Sequence, residues 1–231
     1  MLDFDGIDAV SFDCYGTLID WESGIVAAIT PVLEARGLDL SDTQILALFA
    51  DIEPMAQRGQ YVEYRQVLRD VMRELARRTG FSPDDADLDC LVDSLPDWPP
   101  FPDTVGALRA IKSRYKIAII SNIDNDLFAM TARRLDVEFD QVITSQQARS
   151  YKPSLHNFVL ALDRIAVSPD RLLHVAESAF HDVAPAKSMG LSVVWVNRHG
   201  GREIGATRPV HATPDLEVPD LATLASLMGL G

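Results

Sequence analysis

The chain contains two cysteines in 231 residues, Cys14 and Cys90. They lie far apart and outside any Cys-x-x-Cys or Cys/His ligand spacing, which excludes a disulfide framework and a structural zinc site and fits a reducing compartment. Long apolar runs are missing as well. None approaches the roughly 18 residues that a membrane helix requires, and the opening MLDFDGIDAV carries three acids without a basic flank, so neither a span nor a signal peptide is expected. The protein reads as soluble and cytoplasmic. Basic residues are outnumbered, 21 Lys and Arg against 34 Asp and Glu, for a formal net charge of −13. That balance repels nucleic acid and anionic membrane, both of which are bound chiefly by cations on phosphate, so neither is an expected partner. A small anionic substrate stays compatible, because screening over roughly 8 Å lets a local basic pocket override the distant surface. Oligomeric state is not legible, and a homodimer is left open.

What the sequence does contain is core material. A hydrophobic fraction of 47% suits one large domain, or a core with a modest insertion. Short apolar runs at Asp8 to Phe12, Lys116 to Ile120, Gln141 to Thr144, Leu172 to Ala176 and Ser192 to Val196 predict strands. Helical spacing fills the gaps after the second of these: Val105, Leu108 and Ile111, then Leu127, Met130 and Leu135, then Phe158, Leu162 and Ile165. Strand alternating with helix predicts a parallel sheet covered on both faces.

The stretch from about Trp21 to Leu95 shows helical periodicity and no convincing strand. Ser41 with Gln44 predicts a capping box before Ile45, Leu48, Phe49 and Ile52, and Ser82 with Pro83 and Asp85 predicts another helix start. A third pattern, Tyr64, Val67, Leu68, Val71 and Leu75, closes on Gly80. The proline-rich Pro96 to Pro102 marks a boundary. The expected architecture is an α/β core formed by residues 1–19 and 98–231, with a helical cap, 20–97, inserted after the first strand.

Ligands of an open parallel sheet bind beyond the carboxyl ends of its strands, and the polar residues expected there are Asp13-Cys14-Tyr15-Gly16-Thr17, Ser121-Asn122, Tyr151-Lys152-Pro153, and Glu177-Ser178 with Asp182. Each alone has an ordinary structural reading as a turn, a helix cap or a first-turn acid. Their joint occurrence, in order, points to one site. With these residues in hand, the chain resembles the haloacid dehalogenase superfamily: Phe12 to Leu18 is similar to its nucleophile motif, Ser121-Asn122 to its second motif, Lys152-Pro153 to its third and Glu177 to Asp182 to its acidic fourth. The resemblance covers essentially the whole chain and implies a Rossmann-like core in which Asp13 is the nucleophile.

The chemistry follows from residue type. A carboxylate becomes a useful nucleophile when held ionised, partly desolvated and aimed. Lys152 is expected to hold Asp13, because an ammonium at about 4 Å and an effective dielectric near 20 attracts it by about 4 kcal/mol. Ser121, Asn122 and Thr17 are expected to orient the nucleophile or substrate oxygens, and Asp182, with Lys152 nearby, to position or deprotonate the water that opens the ester.

Phosphatases of the superfamily carry a second aspartate two residues after the nucleophile, as acid for the departing alkoxide, where this chain has Tyr15. Losing an acid worth about 10²–10⁴-fold would forfeit roughly 3–5 kcal/mol, whereas chloride and bromide leave without a proton. The Asp-x-Tyr-Gly-Thr form is similar to that of the type II 2-haloacid dehalogenases, which need no metal, and it places Tyr15 in the pocket wall. Two features depart from that pattern. The cap arginine that holds the halide in those enzymes has no counterpart in Leu48 to Asp51, leaving Arg58, Arg65 or Arg69 as substitutes, with Arg65 preferred beside Tyr61 and Tyr64. Glu177 stands where a hydroxyl residue is frequent, and with Asp13 and Asp182 would make an oxygen site suited to Mg²⁺.

The leading expectation is therefore cofactor-free dehalogenation of a small 2-haloacid. A Mg²⁺-dependent phosphatase is the alternative, and a catalytically idle binding protein on the same scaffold the third reading. Cys14 is grouped with the substrate-facing residues through its place between Asp13 and Tyr15, although alternation along an extended segment turns it away from the nucleophile. His181 is open to a role as base or as packing, and Trp21, Trp98 and Phe101 are expected to pack the cap connections.

Overall fold

A computed structural model describes residues 2–200 and 212–230. Six strands form one parallel sheet in the order β3-β2-β1-β4-β5-β6: β1 Ala9–Phe12, β2 Lys116–Ser121, β3 Gln141–Thr144, β4 Leu172–Ala176, β5 Ser192–Val196 and β6 Leu216–Val218. β1 lies at the centre, between β2 and β4, with every residue buried. Its uninterrupted burial explains why AVSF is a run and not an alternation. The chain builds outward on one side through β2 and β3, then returns to the other side of β1 at β4. This reversal opens a crevice at the carboxyl ends of β1, β2 and β4.

Helices α5 Thr104–Lys112, α6 Asn125–Leu135, α7 Ser145–Ala148, α8 Leu155–Ile165, α9 Ala184–Ser188 and α10 Leu221–Leu227 belong to the sheet portion. Two apolar clusters form on it: Val10, Phe12, Ile117 and Ile119 enter one, and Ala9, Ala118, Ile120 and Phe158 the other.

Between β1 and α5 the chain makes four helices, α1 Trp21–Glu34, α2 Asp42–Ala56, α3 Tyr64–Thr79 and α4 Asp85–Ser94, and a single turn of 3₁₀ helix at Leu95–Asp97. The reciprocal box of Ser41 and Gln44 opens α2 as expected. The start of α4 differs from expectation: Asp84, not Ser82, is the cap, since its carboxylate accepts from the Asp87 amide while Asp87 reaches back to the Asp84 amide. Gly80 closes α3 in the left-handed conformation. Helix α3 has no cap from its own preceding residue; instead the Asp124 carboxylate, from the loop after β2, accepts from the Tyr64 and Arg65 amides at 2.8 and 2.9 Å. One buried acid thereby docks the inserted helices on the sheet.

The two connections of this insertion run side by side. Asp20 N donates to Pro99 O, Phe101 N donates to Leu18 O, and Ile19 bridges Pro100 in antiparallel register. Trp98 packs so closely on α1 that a Cβ on Gly24 would lie 2.4 Å from its ring. The indole therefore requires glycine there.

Candidate active site

Asp13 directly follows β1, and its amide donates to Val175 O of β4, so the register of two central strands fixes where its carboxylate stands. Thr17 Oγ1 donates to Asp13 Oδ2 at 2.9 Å and itself accepts the Glu177 amide. Between them Gly16 turns at φ +93°, a left-handed conformation that suits glycine, with the Trp21 indole and the Glu177 carboxylate close to where a side chain would go.

Lys152 is fully committed. Its Nζ donates to Asp13 Oδ1 at 2.8 Å, to Asp182 Oδ1 at 2.6 Å and to Ile120 O at 2.8 Å, which uses all three ammonium protons. Asn122 fixes the base of the same residue, its amide Oδ1 accepting from Lys152 N while Nδ2 donates to Lys152 O. Asn122 thus holds the lysine's peptide, and neither of these bonds reaches Asp13.

Asp182, on a π-helical turn at Ala179–Val183, also meets His174 from the middle of β4, at 3.0 Å between Oδ1 and Nε2. The other ring nitrogen pairs with Ser11 Oγ of β1 at 2.9 Å. Asp182 Oδ2 is buried with no partner among the described residues, and so is Ser121 Oγ. Two unpaired buried polar atoms in the residues around Asp13 are costly unless a bound group satisfies them.

The same residues border a cavity of about 40 Å³, room for about three water-sized groups. Asp13, Ser121, Asn122, Lys152 and Asp182 line it from the sheet side, with Ser178 and His181. Tyr15, Trp21, Glu53 and Tyr64 complete the wall, the last three supplied by α1, α2 and α3. Tyr15 is held by a 2.8 Å hydrogen bond to Thr131 Oγ1 and by an edge contact with Trp98.

Burial disfavours charge throughout the site, and the partners decide which charges survive. Burial pushes Asp13 above its ordinary range, and the Asp182 charge adds to this, while Lys152 and Thr17 oppose it. For Asp182 burial is outweighed by Lys152 and His174, and the carboxyl titrates below its usual value. Burial acts against the Lys152 ammonium, but the two carboxylates more than compensate and raise it. His181 is pushed down to about 4 by burial, and is a neutral imidazole at pH 7. Burial lifts Glu53 to about 7 and Glu177 to about 8, the latter helped by the charges of Asp13, Glu22 and Asp182.

Three expectations are corrected. Cys14 is wholly buried in the apolar core, its thiol pushed well above the ordinary range by burial, and is not among the side chains lining the cavity. Arg65 is outside too: its guanidinium pairs with Asp126 at the surface. Arg69 pairs with Asp85 and Asp89, Arg58 is exposed, and among the described residues no arginine lines the cavity. The carboxylates of Asp13, Glu177 and Asp182 do not converge as metal ligands; among the described residues no group of three or more His, Cys, Asp or Glu side chains is arranged to hold an ion. The Lys152 ammonium instead bridges Asp13 and Asp182, and Glu177 lies toward Glu22 and His199.

Sequence reasoning missed His174, Glu53 and Tyr64 as members of the site and treated Trp21 as hinge packing. His174 was detectable as the one polar residue inside LLHVA, since a buried imidazole must find partners. Glu53 was detectable by spacing: it falls four residues after Phe49 and seven after Leu46, on the apolar stripe of α2.

Residues 7–190 match the family described as haloacid dehalogenase-like hydrolase. The chain is 30% identical to (S)-2-haloacid dehalogenase H-109 of Pseudomonas putida over 224 residues, covering 95% of this chain and 96% of that one. It is 29% identical over 230 residues to haloacetate dehalogenase H-2 of Moraxella sp. (strain B), covering 97% and 99%. Among solved structures it superposes on the L-2-haloacid dehalogenase of Xanthobacter autotrophicus with chloropropionic acid covalently bound, with a TM-score of 0.82 at 25% identity, covering 96% of this chain and 98% of that one.

Proposed function

The chain belongs to the haloacid dehalogenase-like hydrolases, and from that premise we propose that it cleaves the carbon–halogen bond of a small 2-haloacid through an ester on Asp13, giving the 2-hydroxy acid. The single observation that carries the reading is the Asp13-Lys152-Asp182 chain of charged hydrogen bonds on the wall of a small cavity. Asp13 attacks C2 while Lys152 and Thr17 hold its oxygens, and halide departs with the bonding pair. Ser121 Oγ, buried and without a partner among the described residues, is the donor offered to the substrate carboxylate. Water then attacks the ester carbonyl of Asp13, giving its proton to Asp182 Oδ2, whose other oxygen is fixed by Lys152 and His174. Lys152 stabilises the oxyanion that forms on the ester.

The site needs no metal in this scheme, because the lysine already supplies the cation beside the nucleophile. Helices within residues 20–97 act as a cap that supplies Trp21, Glu53 and Tyr64 and limits substrate size. The free thiols Cys14 and Cys90 and the acidic composition support a cytoplasmic setting; among the described residues no helix is long and apolar enough to cross a membrane.

The test is release of chloride or bromide from 2-chloropropionate, chloroacetate and bromoacetate, with and without EDTA, beside phosphate release from small esters. EDTA-insensitive halide release is expected. Phosphate release that requires Mg²⁺, without halide release, would replace this reading by the phosphatase alternative.

A further inference from the structure

Glu53 is an acid where an anionic substrate and an anionic leaving group must both be accommodated. It enters the cavity from α2, and its side chain is almost wholly buried. Both of its protein hydrogen bonds end on one oxygen: Gln57 Nε2 and the Tyr64 hydroxyl donate to Oε1. Oε2 takes no donor among the described residues, so it is the oxygen free to carry a proton toward the cavity.

The direction of the reaction assigns this wall its use. Displacement at C2 proceeds in line, and the nucleophile attacks from the carboxyl end of β1. The leaving group must therefore depart on the side facing the inserted helices, where Trp21, Glu53 and Tyr64 stand. Among the described residues no arginine lines that wall to receive the halide.

Resting on the dehalogenase reading, we infer that Glu53 in its carboxylic acid form donates a hydrogen bond from Oε2 to the departing halide, and that this donor lets the site expel fluoride as well as the heavier halides. The Asp13 oxygen forms a new bond to C2 as the carbon–halogen bond breaks; the halide keeps the bonding pair and receives the Glu53 O–H as a hydrogen bond. Nothing is oxidised or reduced. Fluoride gains most, being the strongest hydrogen-bond acceptor among the halides.

Ionised Glu53 would oppose the same step, adding a negative charge beside Asp13 and Asp182 against the one ammonium of Lys152. The titratable groups facing it are Tyr64 from α3, Tyr151 from the loop before α8, Tyr15 from the loop after β1, and Asp13, Lys152, His181 and Asp182 across the cavity. The phenols of Tyr15, Tyr64 and Tyr151 are pushed up by burial and His181 is neutral, so none of these supplies a second cation to stabilise the carboxylate. With burial lifting Glu53 to about 7, halide release should fall as pH rises through that region.

The experiment compares wild type, Glu53→Gln and Glu53→Leu on fluoroacetate, chloroacetate and bromoacetate from pH 5.5 to 9, with circular dichroism as a folding control. Glutamine keeps an acceptor for Gln57 and Tyr64 and places an N–H where the acid had O–H; it should retain most of the pH 6 rate and lose the alkaline fall. Leucine should cost about 100-fold on fluoroacetate, the usual effect of removing one donor from a developing anion, and under about tenfold on bromoacetate. A merely structural defect would lower all three rates equally, and that outcome overturns the inference. So does wild-type release of chloride and bromide but never fluoride, or an alkaline fall that persists in Glu53→Gln. These results leave the dehalogenase reading standing, whereas no halide release from any substrate by wild type removes both.

Discussion

His174 Nε2 lies 3.0 Å from Asp182 Oδ1, and the opposite ring nitrogen lies 2.9 Å from Ser11 Oγ. The imidazole spans from β1 to the acid that faces the cavity, inside an otherwise apolar strand. Asp182 can keep Oδ2 free for water only while Oδ1 is held, and His174 is one of the two groups holding it. Replacing His174 by Phe should slow breakdown of the Asp13 ester by about tenfold or more, with little change in its formation. It should also cost about 1–3 kcal/mol of stability, since Ser11 is left without a partner. Rapid-quench measurement of the two steps decides the point: equal slowing of both would show that the ring serves packing alone.

The parallel sheet was legible because its strands are buried on both faces and therefore read as runs. That Asp13, Ser121, Lys152 and Asp182 meet at one cavity was legible because each stands at or just past the carboxyl end of a strand, where an open parallel sheet has its crevice. Arg65 was misplaced for a physical reason: periodicity places a residue on a helix face but does not say whether a long side chain turns to the cavity or to Asp126. β6 and α10 were not read, being short elements at the sheet margin with little periodicity. The Asp124 cap on α3 joins residues 60 apart, and no local pattern encodes such a contact.

Arg65→Ala should leave halide release within about threefold of wild type, since the side chain is 41% exposed and its partner Asp126 65% exposed, and exposed pairs contribute about 0–1 kcal/mol. A loss of 100-fold with the melting temperature unchanged would return Arg65 to the site.

Glu177 links the site to pH stability. Its folded value near 8 stands above the ordinary 4.5 because burial and the neighbouring Asp13, Glu22 and Asp182 penalise the anion. The folded state therefore holds this proton more tightly than the unfolded chain, and the resulting stabilisation is present below about pH 4.5 and lost as pH rises to about 8. Unfolding free energy from urea titrations should decline between pH 5 and pH 8 in wild type, and decline less in Glu177→Gln. Identical slopes in the two proteins would show that Glu177 ionises normally.

The ester mechanism makes a claim about the origin of an oxygen atom. Asp13 stands at the cavity edge with one oxygen on Lys152 and the other on Thr17, and the proposed mechanism makes it the carboxylate that attacks. In a single turnover with enzyme in excess in H₂¹⁸O, the hydroxy acid should carry unlabelled oxygen, and the label should appear in the peptide containing Asp13. Later turnovers should deliver that label to product. Asp13→Asn should abolish turnover. Asp182→Asn removes the acceptor for the proton of the attacking water while retaining an oxygen for Lys152, so the ester should form and persist, visible on the intact protein as an added mass equal to the substrate acid less hydrogen halide. Heavy oxygen in the first-turnover product, with no label at Asp13 and no adduct in Asp182→Asn, would mean that water attacks C2 directly, with Asp182 rather than Asp13 at the centre of the reaction.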